Sequence, residues 1–372
     1  GWLGITVGGG YLFCKQASSL KKLNKWGILL LSSGILLGAG VCTWHKVNSA
    51  LGRLLIWKVS GQMYYEHPFG TGINGFQRNY MAYQANYLAE KENELEKVLA
   101  DETWFAFNDF LRIGVEQGIL GLLFIMVFMY LIFRKRDESH CNSKEMNVIR
   151  GVLLTWLVFS LFSYPSSQLQ TKAIFIVFIG MLSSVQPGVL KISGKWLGAL
   201  AGIMGILFCC RMVWPYRDAV RDWENCLRNR LVLAEEVNIR YRSLMNSSCF
   251  LANCSLLLNQ SGEHAKALEI ASRGVSLYHS YGSCVEKGIA MEKLGCYDAA
   301  EAAWIQAGNL LPNRFRPLYL RMEMKFKQGD MEQAGRLADS LSIKRIKVRS
   351  PELLFMLERV KLIKQKIETK CL

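Results

Sequence analysis

Apolar runs of membrane length dominate the chain as far as Trp214, and they constrain the fold more than any other feature. A helix needs about 20 consecutive apolar residues to cross a bilayer. After an apolar tail at residues 1–14, the predicted spans are Trp26–Trp44, Gly118–Phe133, Val148–Ser163, Ala173–Val185 and Trp196–Trp214. The sequence therefore predicts an all-α fold, in which a polytopic transmembrane helix bundle at residues 1–214 precedes a soluble α-helical domain at residues 215–372.

The start of the chain indicates that this bundle is the C-terminal half of a larger membrane domain. The first apolar stretch ends at Cys14, so it is too short to cross a bilayer. It also lacks the charged start of a signal peptide. We therefore expect upstream sequence with several more spans.

The distribution of Lys and Arg in the short loops predicts the orientation of the spans. These residues concentrate in loops 15–25, 134–150 and 188–195, whereas loop 164–172 holds only Lys172. Positive residues favour cytoplasmic loops. Alternating crossings then place the long loop at residues 45–116, and everything after Trp214, on the other side. In a Gram-negative cell this side is the periplasm, and the chain is predicted to be a multi-pass inner-membrane protein.

The C-terminal domain carries an internal repeat. Two series of small residues recur at a nearly constant interval, namely Gly262, Gly295 and Gly329, and Ala267, Ala300 and Ala334. The unit Tyr281–Pro312 resembles a tetratricopeptide repeat, in which two helices joined by a glycine turn touch at a small residue. Such repeats stack into a curved surface. This surface is a candidate for binding a protein partner, and a packed helical cap is the alternative.

Charge and cysteine content exclude two common interpretations. The formal net charge is +15, but many of the basic residues lie in short loops beside apolar runs and no recognition motif accompanies them, which argues against nucleic acid. The eleven cysteines include no C-x-x-C and no other spacing typical of a metal site. We therefore predict neither a metal nor a cofactor.

The long loop at residues 45–116 is the longest polar segment between the apolar runs, and it carries Arg53 within NSALGRLLIW. An Arg among apolar and small residues needs an anionic partner or a water-facing edge. Its planar fork of donors suits phosphate. The alternative is a guanidinium that only reaches out to the membrane surface.

A glycine-rich turn, HPFGTGINGF, follows at residues 67–76. Glycines such as Gly70 and Gly72 allow backbone amides to approach an anion closely, and His67 adds a titratable ring. The turn has neither the Gly-Lys-Ser/Thr of a Walker loop nor a dinucleotide fingerprint. We predict that His67, Gly70 and Gly72 bind substrate, with a plain structural turn as the alternative.

Four polar residues, Asn108, Asp109, Arg112 and Glu116, precede the apolar run that begins at Gly118. Ionisable residues at a membrane boundary are costly, so a functional role is the default hypothesis. Asp109 could accept a proton, whereas Asn108 could only orient a ligand. We predict that Arg112 and Glu116 bind substrate. A local ion pair between Asp109 and Arg112, three residues apart on a helix, is the alternative.

Three segments together, SALGRLLIW, EHPFGTGINGF and FNDFLRIGVEQGILGLL, resemble the O-antigen ligase family, which also includes O-antigen polymerases and protein O-oligosaccharyltransferases. The resemblance extends over residues 1–190. It implies an enzyme that moves an oligo- or polysaccharide from undecaprenyl diphosphate to an acceptor hydroxyl, on lipid A–core or on another glycan. No metal and no nucleotide sugar would take part.

The resemblance also implies roles for individual residues. Arg53 matches the loop arginine that is proposed to bind the diphosphate. The family has a His immediately before the Asn of the third segment, and this chain has Phe107 there. Either Asn108 or Asp109 then replaces the His as a catalytic residue, or His67 is supplied from the turn, or the acceptor chemistry differs.

Two other classes of protein fit parts of the sequence. A non-enzymatic inner-membrane scaffold, whose periplasmic repeats recruit envelope partners, is favoured by Phe107 at the position of the family's His. A transporter is disfavoured because no predicted span carries a charged pair at mid-depth. The loop segments favour the membrane glycosyltransferase.

Overall fold

The computed structural model describes residues 2–16, 47–91, 93–134, 143–185, 195–230 and 234–371. Within these residues the regular structure is helical and contains no strand. The all-α fold class is therefore confirmed for the described part of the chain.

The first half contains α1 Trp2–Gln16, α2 Val47–Glu66, α3 Gly75–Glu90, α4 Glu94–Leu99, α5 Asp109–Phe133, α6 Ser143–Phe162 and α7 Leu169–Val185, with a 3₁₀ turn at Pro165–Ser167. The second half contains α8 Lys195–Asn229, α9 Val237–Arg240, α10 Ser248–Gln260, α11 His264–Tyr278, α12 Tyr281–Lys293, α13 Tyr297–Leu310, α14 Arg316–Lys327, α15 Met331–Ile343 and α16 Pro351–Cys371, with a 3₁₀ turn at Arg242–Leu244.

Internal contacts divide the chain into two compact units. The first unit comprises residues 1–80 and 103–193, and the second comprises residues 81–102 and 194–372. The middle of the long loop therefore packs with the repeats. Helix α8 continues through Pro215, so no helix end marks the predicted domain boundary between residues 214 and 215. That boundary stays a prediction.

Among the described residues, one helix, α5, is long and apolar enough to cross a membrane. It contains the predicted span Gly118–Phe133. The helical stretches Met146–Phe162 and Leu169–Leu182 are apolar but shorter. The predicted span Trp26–Trp44 lies outside the described residues. The predicted topology, in which the apolar tail at residues 1–14 and the five later spans give six crossings, therefore stays a prediction.

Apolar contacts between α5, α6 and α7 form a core in the first unit, built from the buried side chains Ile132, Met146, Ile149, Leu153 and Leu182. Helix α1 packs directly on α6, because an added Cβ at Gly4 would lie 2.8 Å from the carbonyl oxygen of Thr155. Small residues of this kind allow close helix packing in membrane proteins.

Three helical hairpins, α10–α11, α12–α13 and α14–α15, form the repeating part of the second unit. The glycines between paired helices, Gly262, Gly295 and Gly329, have φ of 84°, 84° and 83°, a left-handed conformation that favours glycine. The equivalent alanines, Ala267, Ala300 and Ala334, are fully buried. The sequence repeat therefore corresponds to a structural repeat, while its identity as a tetratricopeptide repeat stays a prediction.

Buried hydrogen bonds hold residues 81–102 against the repeats within the second unit. Gln84 Nε2 donates to the carbonyl of Leu310 at 3.1 Å. Asn313 Nδ2 donates to the carbonyls of Val98 and Ala100, at 2.9 Å and 2.6 Å. Both amide side chains are buried, so loss of either set of bonds would leave a polar group unpaired away from water. This part of the long loop therefore has a defined position on the repeats.

The chain leaves the first unit after Tyr80 and returns to it at Thr103, and these two residues are in contact. Their side chains form a hydrogen bond, and burial raises the pKa of the Tyr80 phenol. The phenol therefore stays protonated and available as a donor. Residues 81–102 therefore leave the first unit and return to it at neighbouring positions, which this hydrogen bond connects.

Candidate functional site

The first element of the site is a break in α5 at Gly118, where φ is 68° and ψ is −159°. A regular helix would pair the amide of Ile119 with the carbonyl four residues earlier. The break instead turns this amide to the carbonyl of Pro68, at 2.8 Å. Unpaired backbone groups are costly inside a bilayer, so a broken span needs partners from elsewhere in the chain.

The glycine-rich turn supplies those partners. The amides of Thr71 and Gly72 donate to the carbonyls of Val115 and Glu116, both at 2.9 Å. The amide of Gly70 donates within the turn, to the carbonyl three residues earlier, also at 2.9 Å. An anion at this turn would have to displace these bonds. The structural interpretation thus accounts for both glycines, and their role in substrate binding stays a prediction.

Gly70 and Gly118 are also required for steric reasons. Their φ angles are 92° and 68°, a region that side chains with a Cβ rarely adopt. An added Cβ at Gly70 would lie 2.5 Å from the carbonyl oxygen of Glu116, and one at Gly118 would lie 2.5 Å from that of Pro68. The two backbones approach too closely for a side chain at either position.

Arg53 lies on α2 and is half-buried. Its guanidinium carbon is 5.1 Å from the centre of the Phe107 ring, and Nη1 donates to the carbonyl of Phe162 at 3.1 Å. A guanidinium has five N–H donors, so most of the fork has no protein partner among the described residues. The Arg53 side chain is therefore held in place with donors left for an anion.

Aromatic contacts fix the segment that leads into α5. The Tyr164 ring stacks on Phe105 with 4.2 Å between centroids, and it meets Phe107 edge-on at 5.2 Å. Trp57 Nε1 donates to the carbonyl of Ala106 at 3.0 Å. Phe107 has φ of 52°, which is uncommon for a bulky residue and costs energy. The contacts with Arg53 and Tyr164 stabilise that conformation.

Asn108 is the N-cap of α5. Its side-chain oxygen accepts a hydrogen bond from the amide of Leu111 at 3.0 Å, which satisfies one of the free amides at the helix start. Its NH₂ group has no partner among the described residues. Asn108 can therefore cap the helix and still donate to a ligand.

The carboxylate of Asp109 is buried and bonds to the turn after α6. Its Oδ2 accepts from the amide of Ser166 at 2.9 Å, and its Oδ1 accepts a hydrogen bond from the Ser166 hydroxyl. Arg112 points elsewhere, with Nη1 donating to Ser167 Oγ at 2.6 Å and Nε lying 3.3 Å from Glu116 Oε1. Arg112 thus pairs with Glu116, one turn further along α5, while its charge also acts on Asp109. The local ion pair between Asp109 and Arg112 therefore stays an alternative.

Glu116 is a buried carboxylate with an accepting position left over. Its side chain is 7% exposed, and its Oε1 accepts no hydrogen bond from the residues described. The nearby Nε of Arg112 compensates the charge, but it does not align for a hydrogen bond. Glu116 can therefore accept a hydrogen bond from a ligand hydroxyl, which agrees with its predicted role in substrate binding without testing it.

The predicted residues form two groups. Arg53, Asn108 and Asp109 lie where α5 begins, and His67, Gly70, Gly72 and Glu116 lie at the break. The α2 segment from Arg53 to Glu66 is about 20 Å long at 1.5 Å per residue, so His67 is not beside Arg53. Arg112 connects the groups through its contacts with Ser167 and Glu116.

Sequence reasoning missed the contribution of residues 162–167. The carbonyl of Phe162, the ring of Tyr164 and the hydroxyls of Ser166 and Ser167 all contact site residues. The available signal was topological. The loop 164–172 was predicted on the same side of the membrane as the long loop, and its Tyr-Pro-Ser-Ser sequence is polar.

These features define a helical protein with a polar site at the start of a helix that is long and apolar enough to cross a membrane. Residues 1–126, which contain both groups of site residues, match the family model described as O-antigen ligase. The O-antigen ligases are bacterial inner-membrane proteins, and the match indicates a role in glycan transfer. No curated protein and no solved structure matches the chain.

Proposed function

We propose that this chain is a membrane glycosyltransferase that moves an oligo- or polysaccharide from undecaprenyl diphosphate to a hydroxyl of lipid A–core or of another glycan. The observation that carries the proposal is the placement of Arg53 over Phe107, inside the segment that matches the O-antigen ligase family. The guanidinium keeps free donors there, and the Asp109 carboxylate follows two residues after Phe107.

The reaction breaks the bond between the anomeric carbon and the diphosphate oxygen and forms a bond from that carbon to the acceptor oxygen. The departing diphosphate gains negative charge. The planar fork of Arg53 can stabilise this charge through paired hydrogen bonds. The proton of the acceptor hydroxyl passes to a carboxylate. Atoms and charge balance without an oxidant or a reductant.

We assign the proton acceptor to Asp109 rather than to His67. Asp109 begins the helix that Phe107 leads into, and Phe107 contacts Arg53 directly. His67 lies beyond the other end of α2. The Ser166 hydroxyl can rotate away from Asp109, which would free one carboxylate oxygen for the acceptor while the Ser166 amide holds the other.

Glycan transfer by the purified full chain in lipid nanodiscs tests this function. Undecaprenyl diphosphate-linked glycan is supplied with lipid A–core, with a second glycan, or alone. We expect a glycan-extended acceptor only when donor and acceptor are both present. Folded protein that forms no extended product with either acceptor would contradict the proposal.

We expect Asp109→Asn to reduce glycan transfer at least about tenfold, because a positioned proton acceptor contributes about 10²–10⁴ to the rate. The matched control is Ser166→Ala, which removes the hydroxyl partner and keeps the carboxylate charge. Initial rates are compared at equal amounts of folded protein. Equal, small losses in both variants would mean that Asp109 only anchors the turn after α6.

Packing within the second unit supports a common side of the membrane for the long loop and the repeats. Residues 81–102 share buried hydrogen bonds with residues 310–313. A bilayer cannot pass between segments that form one compact unit. The crossings between residues 102 and 234 must then be even in number, which agrees with the predicted topology.

Cysteine labelling tests this arrangement. We expect Glu90→Cys and Lys293→Cys, both at exposed positions, to react with an impermeant maleimide in intact spheroplasts of a strain that carries the chain without its native cysteines. Asp137→Cys, in the predicted cytoplasmic loop 134–150, should react only after permeabilisation. Labelling at one of the first two positions alone would refute their common side.

A further inference from the structure

A cavity of about 500 Å³ lies in the second unit, between the long loop and the repeats. One wall is the C-terminal half of α3, where Ala82, Ala85 and Ala89 leave room, and the other is the end of α13 around Gly308. We call it the loop–repeat cavity. None of the site residues described above lines it.

Hydrogen bonds beside the loop–repeat cavity fix the distance between its walls. The buried Gln84 of α3 donates to the carbonyl of Leu310 at the end of α13. After α4 the loop is anchored again, through the two bonds from Asn313 to the carbonyls of Val98 and Ala100. The cavity is thus a built feature of the second unit and requires both the loop and the repeats.

The polar groups of the cavity have unused hydrogen-bonding capacity. Asn86, Gln306 and Asn309 line it at exposed positions, and their side chains have no hydrogen-bond partner among the described residues, so a ligand can reach them from solvent. Each amide offers both donors and an acceptor. His279 lines it too, and burial lowers the pKa of this imidazole, which keeps the ring neutral with one donor and one acceptor.

Charge is nearly absent from the lining. Its one charged side chain, Lys97, is 2.8 Å from Glu94 Oε1. A phosphate or another anion would require unpaired cations, and a lipid tail would leave the amides unsatisfied. The lining instead suits an uncharged ligand with many groups that both donate and accept, between small apolar residues. Sugar hydroxyls have that property.

We propose that the loop–repeat cavity binds a neutral sugar unit of the transferred glycan. This inference rests on the proposed function, since a glycan carried on undecaprenyl diphosphate has sugar units beyond the one that reacts. The loop that supplies one wall is the loop that carries Arg53. The cavity would therefore contribute to selecting the glycan by its sugars.

Binding of free polysaccharide to the full chain in nanodiscs tests the proposal. The probe is O-polysaccharide released by mild acid from the lipopolysaccharide of the producing strain, and the measurement is isothermal titration calorimetry. We expect the double variant Gln306→Ala, Asn309→Ala to raise the Kd at least about tenfold, which corresponds to two or three lost hydrogen bonds. The matched control is Gln328→Ala, an exposed amide at the α14–α15 turn, for which we expect no change.

A second variant fills the cavity. An added Cβ at Gly308 meets no heavy atom within 4 Å, so Gly308→Phe is expected to fold and to abolish polysaccharide binding. The cavity proposal would be overturned, and the proposed function kept, if the wild-type chain transferred glycan but bound no free polysaccharide. The same conclusion would follow if neither variant lost affinity for the polysaccharide. If an unrelated unstructured peptide bound the chain and lost the same affinity in both variants, the cavity would be assigned to peptide binding instead. Polysaccharide binding with the expected losses, in a chain without transferase activity, would retain the cavity and refute the proposed function.

Discussion

Gly118→Ala is expected to prevent stable folding of the first unit. An Ala at this position must adopt φ of 68° with ψ of −159°, a region essentially restricted to glycine, at a cost of about 1–3 kcal/mol. Its Cβ would also press into the backbone of residues 68 and 69. The turn at residues 67–75 could then not reach the carbonyls of α5, and the broken helix would keep unpaired backbone groups inside the bilayer. We expect a loss of at least about 2 kcal/mol of stability.

The measurement is thermal unfolding of the detergent-solubilised chain, together with the monodisperse fraction in size-exclusion chromatography. Gly61→Ala is the matched control, because this glycine lies within α2 and an added Cβ there meets no atom within 4 Å. Replacing such a helical glycine should stabilise the chain by about 0.5–1 kcal/mol. A Gly118→Ala variant as stable as Gly61→Ala would mean that the turn does not support the break.

Gly70→Ala separates the two partners of this contact. It should reproduce the loss, because its Cβ would meet the carbonyl oxygen of Glu116. Since both substitutions disrupt one contact, the double variant should lose little more than either single variant. Additive losses would indicate that the glycines serve independent purposes.

The helical class and the apolar run of α5 could be predicted from the sequence because they depend on local composition. The break at Gly118 could not, since a single glycine within an apolar run is compatible with a continuous helix. The break depends on the turn at residues 67–75, far earlier in the chain. Amides of this turn donate hydrogen bonds to the carbonyls of α5 that the break leaves without helical partners. A pairing of this kind depends on tertiary contact and leaves no periodic signal.

The sequence pointed to individual residues of the candidate site but not to their arrangement. Asp109, Arg112 and Glu116 stood out as polar residues beside an apolar run, and their roles stay predictions. Their partners were not identified, because Ser166 and Ser167 lie in a separate turn, on the far side of α6 in the sequence. The spacing of Asp109 and Arg112 suggested a local ion pair between them. In the structure Arg112 also pairs with Glu116, which the spacing did not single out.

The excursion of residues 81–102 into the second unit was also beyond sequence reasoning. The acidic stretch at residues 90–96 has the composition of a solvated helix, yet Glu96 is 8% exposed and the following carbonyls bond to Asn313. Nothing in the loop predicts that a repeat domain much later in the chain supplies the donor. The role of the repeats in holding the loop emerges only from the fold.

Arg53→Ala is expected to reduce glycan transfer by about 10²–10³, which is the usual cost of removing a group that stabilises developing negative charge. Arg53→Lys keeps the charge but loses the planar fork. An ammonium that reaches the carbonyl of Phe162 would present fewer aligned donors to a diphosphate. We therefore expect an intermediate loss in the Lys variant, at least about tenfold, with normal amounts of folded protein in the membrane.

Arg78→Ala is the control for charge alone, because Arg78 is an exposed residue of the same loop, on α3. If Arg53 acted only by attracting an anionic lipid to the surface, the two Ala variants would lose similar activity. Added salt would then lower the transfer rate of the wild type to the level of the variants. If Arg53 binds the departing diphosphate, Arg78→Ala keeps its rate and salt does not reproduce the loss. An Arg53→Ala chain that still transfers glycan at the wild-type rate would remove Arg53 from the mechanism and, with it, the observation on which the proposed function rests.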